Sequence, residues 1–174
     1  PLPENQPPPA SEPTPEDLLA GLFGDAGDRF VELRGIRTGG ATRREWFPTT
    51  QRGYRDLVHQ AERWNGECFN IYYGVHPRHS RGGSTEHVAE YRTVFVDLDA
   101  GDGKDYPDAD FALDVLDYAV AQATVPPPSA VVLSGNGVHA YWLLDDPIPV
   151  EQTIHYKGIM RALAEALDAD QAVG

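Results

Sequence analysis

Two carboxylates, Asp97 and Asp99, end a short apolar run that reads YRTVFVDLDA over residues 91–100. Its β-branched and aromatic residues predict a strand, and its apolar character favours a central one. Because successive side chains of a strand point to opposite faces, Asp97 and Asp99 share a face with Phe95, about 6.6 Å apart at Cα. Like charges at this spacing repel, and a divalent cation between them removes the repulsion. The alternative is a strand that ends in a solvated acidic loop.

A glycine-rich hairpin, SGNGVHAYWLL over residues 134–144, is the second candidate. Its two glycines permit a tight turn and leave backbone N–H groups uncovered, so that the turn could bind an anion. On the returning strand, side chains alternate between the two faces, so His139 shares a face with Tyr141 and Trp142 lies on the other face. A histidine two residues after the turn could reach a phosphate held there. The alternative is a ligand-free hairpin with a half-buried histidine.

A loop rich in His, Arg and Gly follows the strand predicted for residues 68–75. His76, Arg78 and Arg81 suit phosphate binding, because arginine makes charge-assisted, often paired, hydrogen bonds to phosphate oxygens. An ordinary solvated basic loop is the alternative.

The charge of the chain is unevenly distributed. The 174 residues carry a net charge of −13, which argues against a general nucleic-acid binder. Residues 29–92, however, hold eleven of the fourteen Lys and Arg against seven Asp and Glu, a local net charge of +4. A basic region beside an acidic metal site suits a polyanionic substrate, whereas ordinary surface charge is the simpler interpretation.

Length and composition indicate one globular domain with a real core. The single cysteine, Cys68, excludes an internal disulfide and a multi-cysteine zinc site. No apolar run approaches the roughly 20 residues that span a bilayer, and no signal-peptide pattern is visible, so we expect no membrane partner and a cytoplasmic location. Since the chain begins at Pro1, we expect it to be a piece of a longer protein.

Strands that return by hairpins, with helices between others, predict an α+β domain rather than a regular parallel sheet. The last predicted helix has Ile154, Ile159, Leu163 and Leu167 facing the core. The predicted elements are a disordered proline-rich leader over 1–14, helices over 15–24, 50–64, 108–123 and 151–167, and strands over 30–36, 43–47, 68–75, 91–100, 130–133 and 138–144.

These motifs together resemble those of one family. The Asp-x-Asp strand, the Ser-Gly-x-Gly-x-His-x-Tyr-Trp hairpin and an aspartate behind a helix, Asp170, resemble the three-motif layout of the archaeo-eukaryotic primase superfamily. The similarity is greatest to the primase-polymerase domains of phage and plasmid replication proteins. The NIYYGVHPR stretch, residues 70–78, also resembles the segment that these domains carry before their first motif. The resemblance covers about residues 29–171.

The resemblance implies an RRM-like catalytic sheet, antiparallel or mixed, flanked by helices and joined to a smaller N-terminal α/β unit. The primase-polymerase catalytic domain would span residues 15–174. Asp97, Asp99 and Asp170 would hold two Mg²⁺ or Mn²⁺ ions, with no zinc, and His139 would act beside them. The phosphates of the incoming nucleotide would be held by Arg78, Ser134, Gly135, Asn136, Gly137 and His139. Relatives usually continue past the third acid, and we expect a helicase domain or protein beyond the C-terminus.

The predicted function is synthesis and extension of primers on single-stranded DNA, with NTP or dNTP as substrate, by two-metal nucleotidyl transfer. Two alternatives remain open. One is a metal-dependent nuclease or replication initiator, although relaxase-like initiators need a His-x-His pair and His76 and His79 are three residues apart. The other is a non-catalytic module that binds single-stranded nucleic acid. Tyr72 or Tyr73 is a candidate for the residue that distinguishes ribonucleotides from deoxynucleotides. The alternative for both tyrosines is a position in the core.

Overall fold

The computed structural model describes residues 13–24, 27–135 and 137–169. Most of the expected proline-rich leader, residues 1–12, and two site candidates, Asn136 and Asp170, lie outside these ranges. The described elements, in chain order, are α1 (Pro15–Phe23), β1 (Phe30–Ile36), β2 (Thr42–Pro48), α2 (Gln51–Gly66), β3 (Asn70–Tyr73), β4 (Glu90–Asp99), α3 (Ala109–Ala121), β5 (Ala130–Leu133), β6 (Gly137–Pro149) and α4 (Thr153–Ala166).

The strands form two three-stranded sheets in which all neighbouring pairs are antiparallel. The first sheet has the order β2-β1-β3 and the second the order β4-β6-β5. Together with the four helices, these sheets confirm the α+β prediction. The prediction that β4 is a central strand is wrong, because β6 is its only neighbour among the described strands. β4 is apolar because helices cover one of its faces, and not because strands flank both of its edges.

The first sheet forms one unit with α1 and α2. Thr14 caps α1 in a reciprocal pair of hydrogen bonds with Asp17, and Thr50 caps α2 by accepting from the Gly53 N–H. Tyr54 and Leu57 lie on the buried side of α2, at 0% and 4% exposure. The helix predicted for residues 50–64 is confirmed.

The second sheet packs one face against α3 and α4. Val96 and Leu98 of β4, and Val138 and Ala140 of β6, are at most 2% exposed and lie in the same core as both helices. The predicted alternation along both strands is therefore confirmed. Burial of this face leaves Asp97 and its neighbours on the opposite face.

Three elements differ from their predicted limits or faces. β3 is shorter at both ends than the strand predicted over 68–75. It starts later because Cys68 has a left-handed backbone, with φ of 62°. A 3-10 turn, Val150–Gln152, precedes α4, so that the α-helix begins only at Thr153. β6, in contrast, extends past the predicted limit of residue 144 to Pro149.

Ile154 does not face the core as predicted, because it is 90% exposed. It lies two residues from Tyr156, which is about 200° around the helix axis. The core face of α4 consists instead of residues at spacings of three and four, which are Tyr156, Met160, Leu163 and Leu167.

The free face of the second sheet turns towards the first unit. Tyr141 of β6 is 2% exposed and belongs to the core of the first unit, and Phe95 of β4 packs against both cores. The face that carries Asp97 and His139 therefore borders the junction of the two sheets. Among the described helices, none is long and apolar enough to cross a membrane.

Candidate functional site

The register of β4 and β6 brings the predicted motifs together. Asp97 lies directly opposite His139, and Asp99 lies opposite Gly137. Asp97, Asp99 and His139 are each partly exposed, whereas Leu98 between the two acids is fully buried. The prediction that the two acids share a face of β4 is confirmed. The prediction that His139 and Trp142 lie on different faces of β6 is confirmed as well.

Asp97 has one oxygen that is suited to a cation. The His139 Nε2 atom is 3.2 Å from Asp97 Oδ1, but this contact lacks hydrogen-bond geometry. Asp97 Oδ1 is buried and has no hydrogen-bond partner among the described residues. Because an unpaired buried carboxylate oxygen is costly, this atom favours a metal ion as its partner.

Asp99 already has a cationic partner. Its Oδ2 atom is 2.6 Å from Lys104 Nζ, and both side chains are about half exposed. An ion pair this accessible contributes little stability, so a metal ion could replace Lys104 at small cost. Within the described parts of the chain, no three His, Cys, Asp or Glu residues cluster closely enough to form a metal site. The described acids thus supply two candidate ligands, both oxygen donors of the kind that Mg²⁺ and Mn²⁺ prefer.

The end of α4 lies beside the loop that follows Asp99. The Tyr106 N–H donates to the Asp99 carbonyl oxygen at 3.4 Å, and the Tyr106 hydroxyl donates to the Leu167 carbonyl oxygen at 2.5 Å. Tyr106 is 4% exposed and so fixes these two segments side by side. The residues that precede Asp170 are therefore held near Asp99, although Asp170 itself lies outside the described residues.

The glycine turn closes next to Asp99. Ser134 donates to the Gly137 carbonyl oxygen from its backbone N–H at 3.0 Å and from its hydroxyl at 3.2 Å. Gly135 has φ of 84°, which favours glycine. The turn predicted from the sequence is thus present at its two described ends, with Asn136 outside the described residues.

Gly137 permits the close approach of the two strands. A Cβ atom at this position would lie 2.2 Å from the backbone carbonyl oxygen of Leu98. We expect Gly137→Ala to lower the free energy of unfolding by about 2 kcal/mol, because the strands must separate to accept the methyl group. Chemical denaturation measures this change.

Gly158→Ala is the matched control for that substitution. Gly158 lies in α4, and an added Cβ there would meet no atom within 4 Å. The same change should therefore raise stability by about 0.5–1 kcal/mol, through better helix propensity. Equal stability of the two variants would contradict the close-approach argument.

A chain of polar contacts runs from Asp97 towards the first unit. The Tyr141 hydroxyl lies 3.3 Å from His139 Nδ1 and 2.7 Å from the Tyr73 hydroxyl. Burial raises the pKa of both tyrosines, so each phenol keeps its proton at neutral pH. Of the two tyrosines proposed from the sequence, Tyr73 thus lies in this chain of contacts, whereas Tyr72 is 51% exposed.

Arg78 lies in the first unit and is buried. Its Nη2 atom is 2.9 Å from Glu32 Oε2, and its Nη1 atom donates to the Ser84 carbonyl oxygen at 3.0 Å. Glu32 is 1% exposed and also contacts Arg34 and Arg44, at 3.1 and 3.7 Å. Among the described residues, Arg78 forms no ion pair or hydrogen bond with Asp97, Asp99 or His139. Its assignment to the nucleotide phosphates stays a prediction.

Glu32 and two of its three arginine partners, Arg34 and Arg44, are not among the residues predicted from the sequence. The available signal was the run Val31-Glu32-Leu33 in a strand, where one acid interrupts an apolar sequence. All three residues are buried, so Glu32 requires cationic partners. Arg34 two residues later was the nearest candidate.

His76 is largely enclosed by aromatic rings and is partly buried. Its Nε2 atom lies 2.9 Å from the Tyr156 hydroxyl, and its ring stands edge-on to those of Tyr91 and Tyr156. Burial, with a smaller contribution from the Arg78 charge, lowers the pKa of His76 to about 4. His76 is therefore neutral at pH 7 and supplies a hydrogen-bonding group rather than a charge.

Comparison with known proteins finds no match among family models, curated proteins or solved structures.

Proposed function

We propose that this chain is a template-directed primase-polymerase of the archaeo-eukaryotic primase superfamily, which makes and extends primers on single-stranded DNA. The observation that carries the proposal is the register of β4 and β6. It sets Asp97, with its unpartnered oxygen, opposite His139, and Asp99 opposite the glycine turn. Two acids, a histidine and the glycine turn then meet at one end of one sheet.

The topology of the second unit supports the RRM-like part of the proposal. Its elements follow the order β4-α3-β5-β6-α4, with both helices on one face and the last strand of the sequence between the other two. This order matches the first five elements of the split β-α-β arrangement. The first unit, with its own sheet and α1 and α2, would be the N-terminal α/β part.

Each residue of the site has a role that its position allows. Asp97 and Asp99 would hold the metal ions, with Asp170 as the third ligand, and Lys104 would release Asp99. Bound Mg²⁺ or Mn²⁺ would lower the pKa of a primer 3′-hydroxyl and neutralise the leaving pyrophosphate. His139 would donate a hydrogen bond to a phosphate oxygen, and the N–H groups of the turn would bind the same anion.

A synthesis assay on unprimed single-stranded DNA, with labelled nucleotides and Mg²⁺ or Mn²⁺, tests the proposal. We expect labelled products longer than a dinucleotide. The nuclease alternative predicts shortening of the DNA when nucleotides are omitted. The binding-module alternative predicts DNA binding without either product.

His139→Ala should lower kcat/KM for nucleotide by roughly 10- to 100-fold, the cost of one hydrogen bond to a charged group. The imidazole is 32% exposed, so its loss should change the melting temperature little. Steady-state kinetics and thermal melting on the same preparation measure both effects.

His59→Ala on the exposed side of α2 is the control and should leave kcat/KM unchanged. A destabilised His139 variant whose folded fraction has normal nucleotide kinetics would assign His139 to the core and remove it from the site.

A further inference from the structure

A second site borders the carboxylate face without including it. A cavity of about 590 Å³ lies between the loop after β3, the strand β4 and the helix α4. Phe95, two residues before Asp97 on the same face, forms part of its wall, and so does Tyr73. Its volume falls within the range of small-molecule sites.

The walls of the cavity carry an excess of positive charge. Four cationic residues line it, which are Arg34, Arg78, Lys157 and Arg161, and no carboxylate does so among the described residues. Glu32 lies behind the wall and is shared by Arg34 and Arg78. Lys157 and Arg161 are exposed on α4 and form no ion pair with a described carboxylate. The cavity therefore favours an anion.

Two nitrogens of cavity residues are buried without a hydrogen-bond partner. The Arg78 side chain is 9% exposed, and its Nε–H donates to no described atom. His76 Nδ1 is likewise without a partner among the described residues. Buried polar nitrogens are rarely left unpaired, so an acceptor oxygen of a ligand would satisfy Arg78 here.

Aromatic side chains form a further part of the wall. Phe95 and Tyr73 are only partly buried. Tyr91 and Tyr156 also line the cavity, and their rings stack with centroids 4.0 Å apart. Aromatic rings beside cationic groups are the combination that binds nucleobases together with their phosphates.

We propose that this cavity binds a nucleoside phosphate, with its phosphate on Arg78, Lys157 and Arg161 and its base against Phe95 and Tyr73. The ligand could be a free nucleotide or one residue of a single strand. The use of this ligand in synthesis rests on the proposed function, whereas its binding does not. Because the cavity contains none of the candidate metal ligands, binding requires no metal ion.

The test is a binding titration of the whole chain in EDTA, with ATP, a short oligothymidylate and inorganic phosphate as separate probes. The variant Lys157→Gln/Arg161→Gln removes two cavity charges from exposed positions of α4. The control variant Arg52→Gln/Arg55→Gln removes two exposed charges from α2, away from the cavity. We expect the cavity variant to bind ATP or the oligonucleotide at least about tenfold more weakly, and the control variant to bind within about twofold of the wild type.

Tighter binding of ATP than of the oligonucleotide would identify a free nucleotide as the ligand, and the reverse order would identify a strand. Equal losses in both variants, or no binding of either probe by the wild type, would overturn the proposal. Inorganic phosphate that binds as tightly as ATP would overturn the assignment of a base. Asp97→Asn should leave ATP binding in EDTA unchanged, so the cavity can be confirmed even if the chain synthesises no primers.

Discussion

Asp97→Asn should lower primer synthesis by about 10³-fold or more and leave the fold intact. Asparagine keeps the shape of the side chain but removes the charge that would hold a metal ion, and the metal contributes several kcal/mol to the transition state. Asp97 is 45% exposed on the site face, whereas the buried face of β4 is unchanged by the substitution. Single-turnover extension of a labelled primer measures the loss, and thermal melting measures the fold.

Asp102→Asn is the matched control. Asp102 is an exposed acid in the loop after β4, so its substitution makes the same change of charge close to the site. Its synthesis rate should stay within about twofold of the wild type, since an exposed charge has little effect at this range. Near-normal extension by Asp97→Asn, or an equal loss in both variants, would contradict the metal assignment.

The second large effect concerns stability at acidic pH. The pKa of His76 is about 4 in the folded chain, against 6.5 for an ordinary histidine, because the residue is buried. Between these two values the unfolded chain binds more protons than the folded chain, so the free energy of unfolding falls as the pH falls from 6.5 to 4. The contribution of His76 to this loss is about 3 kcal/mol, and it is absent above pH 6.5.

His76→Phe isolates this contribution. Phenylalanine keeps a ring between Tyr91 and Tyr156 but cannot bind a proton. Urea unfolding at several pH values should give a shallower dependence on pH for this variant, whatever its stability at pH 7. His59→Phe, at an exposed position, should keep the slope of the wild type. A His76 variant whose slope equals that of the wild type would show that the residue titrates normally.

Local patterns in the sequence correctly predicted which face of its own strand each of three site residues occupies. Alternation along residues 91–100 placed Asp97 and Asp99 on one face, and alternation after the glycine turn placed His139 opposite Trp142. Both placements are confirmed, since period-two geometry follows from the backbone alone. The caps at Thr14 and Thr50 are local in the same way.

The arrangement of these parts could not be predicted from local patterns. Which strand lies beside β4, and in which register, depends on contacts between residues about 40 positions apart. The opposition of Asp97 and His139 is such a result, as is the position of β4 at the edge of the sheet. The cluster of Glu32 with three arginines similarly joins residues from β1, β2 and the loop after β3.

The core face of α4 follows from helical periodicity when the period is applied strictly. Ile154 is apolar, but nine residues separate it from Leu163, which puts the two side chains about 180° apart around the helix axis. The same period puts Tyr156, Met160 and Leu163 on one face, as the structure has them. The contacts that Tyr156 makes there with Tyr91 and His76 join residues far apart in the sequence, and local patterns do not predict them.

The dependence of synthesis on the template sequence is the decisive measurement for a template-directed polymerase. The chain is incubated with oligo(dT), oligo(dA) or oligo(dC) and with each labelled nucleotide in turn, in the presence of Mn²⁺. We expect products only from the nucleotide that is complementary to each template, and none from Asp97→Asn. Incorporation that ignores the template, or shortening of the DNA with no nucleotide added, would contradict the proposed function.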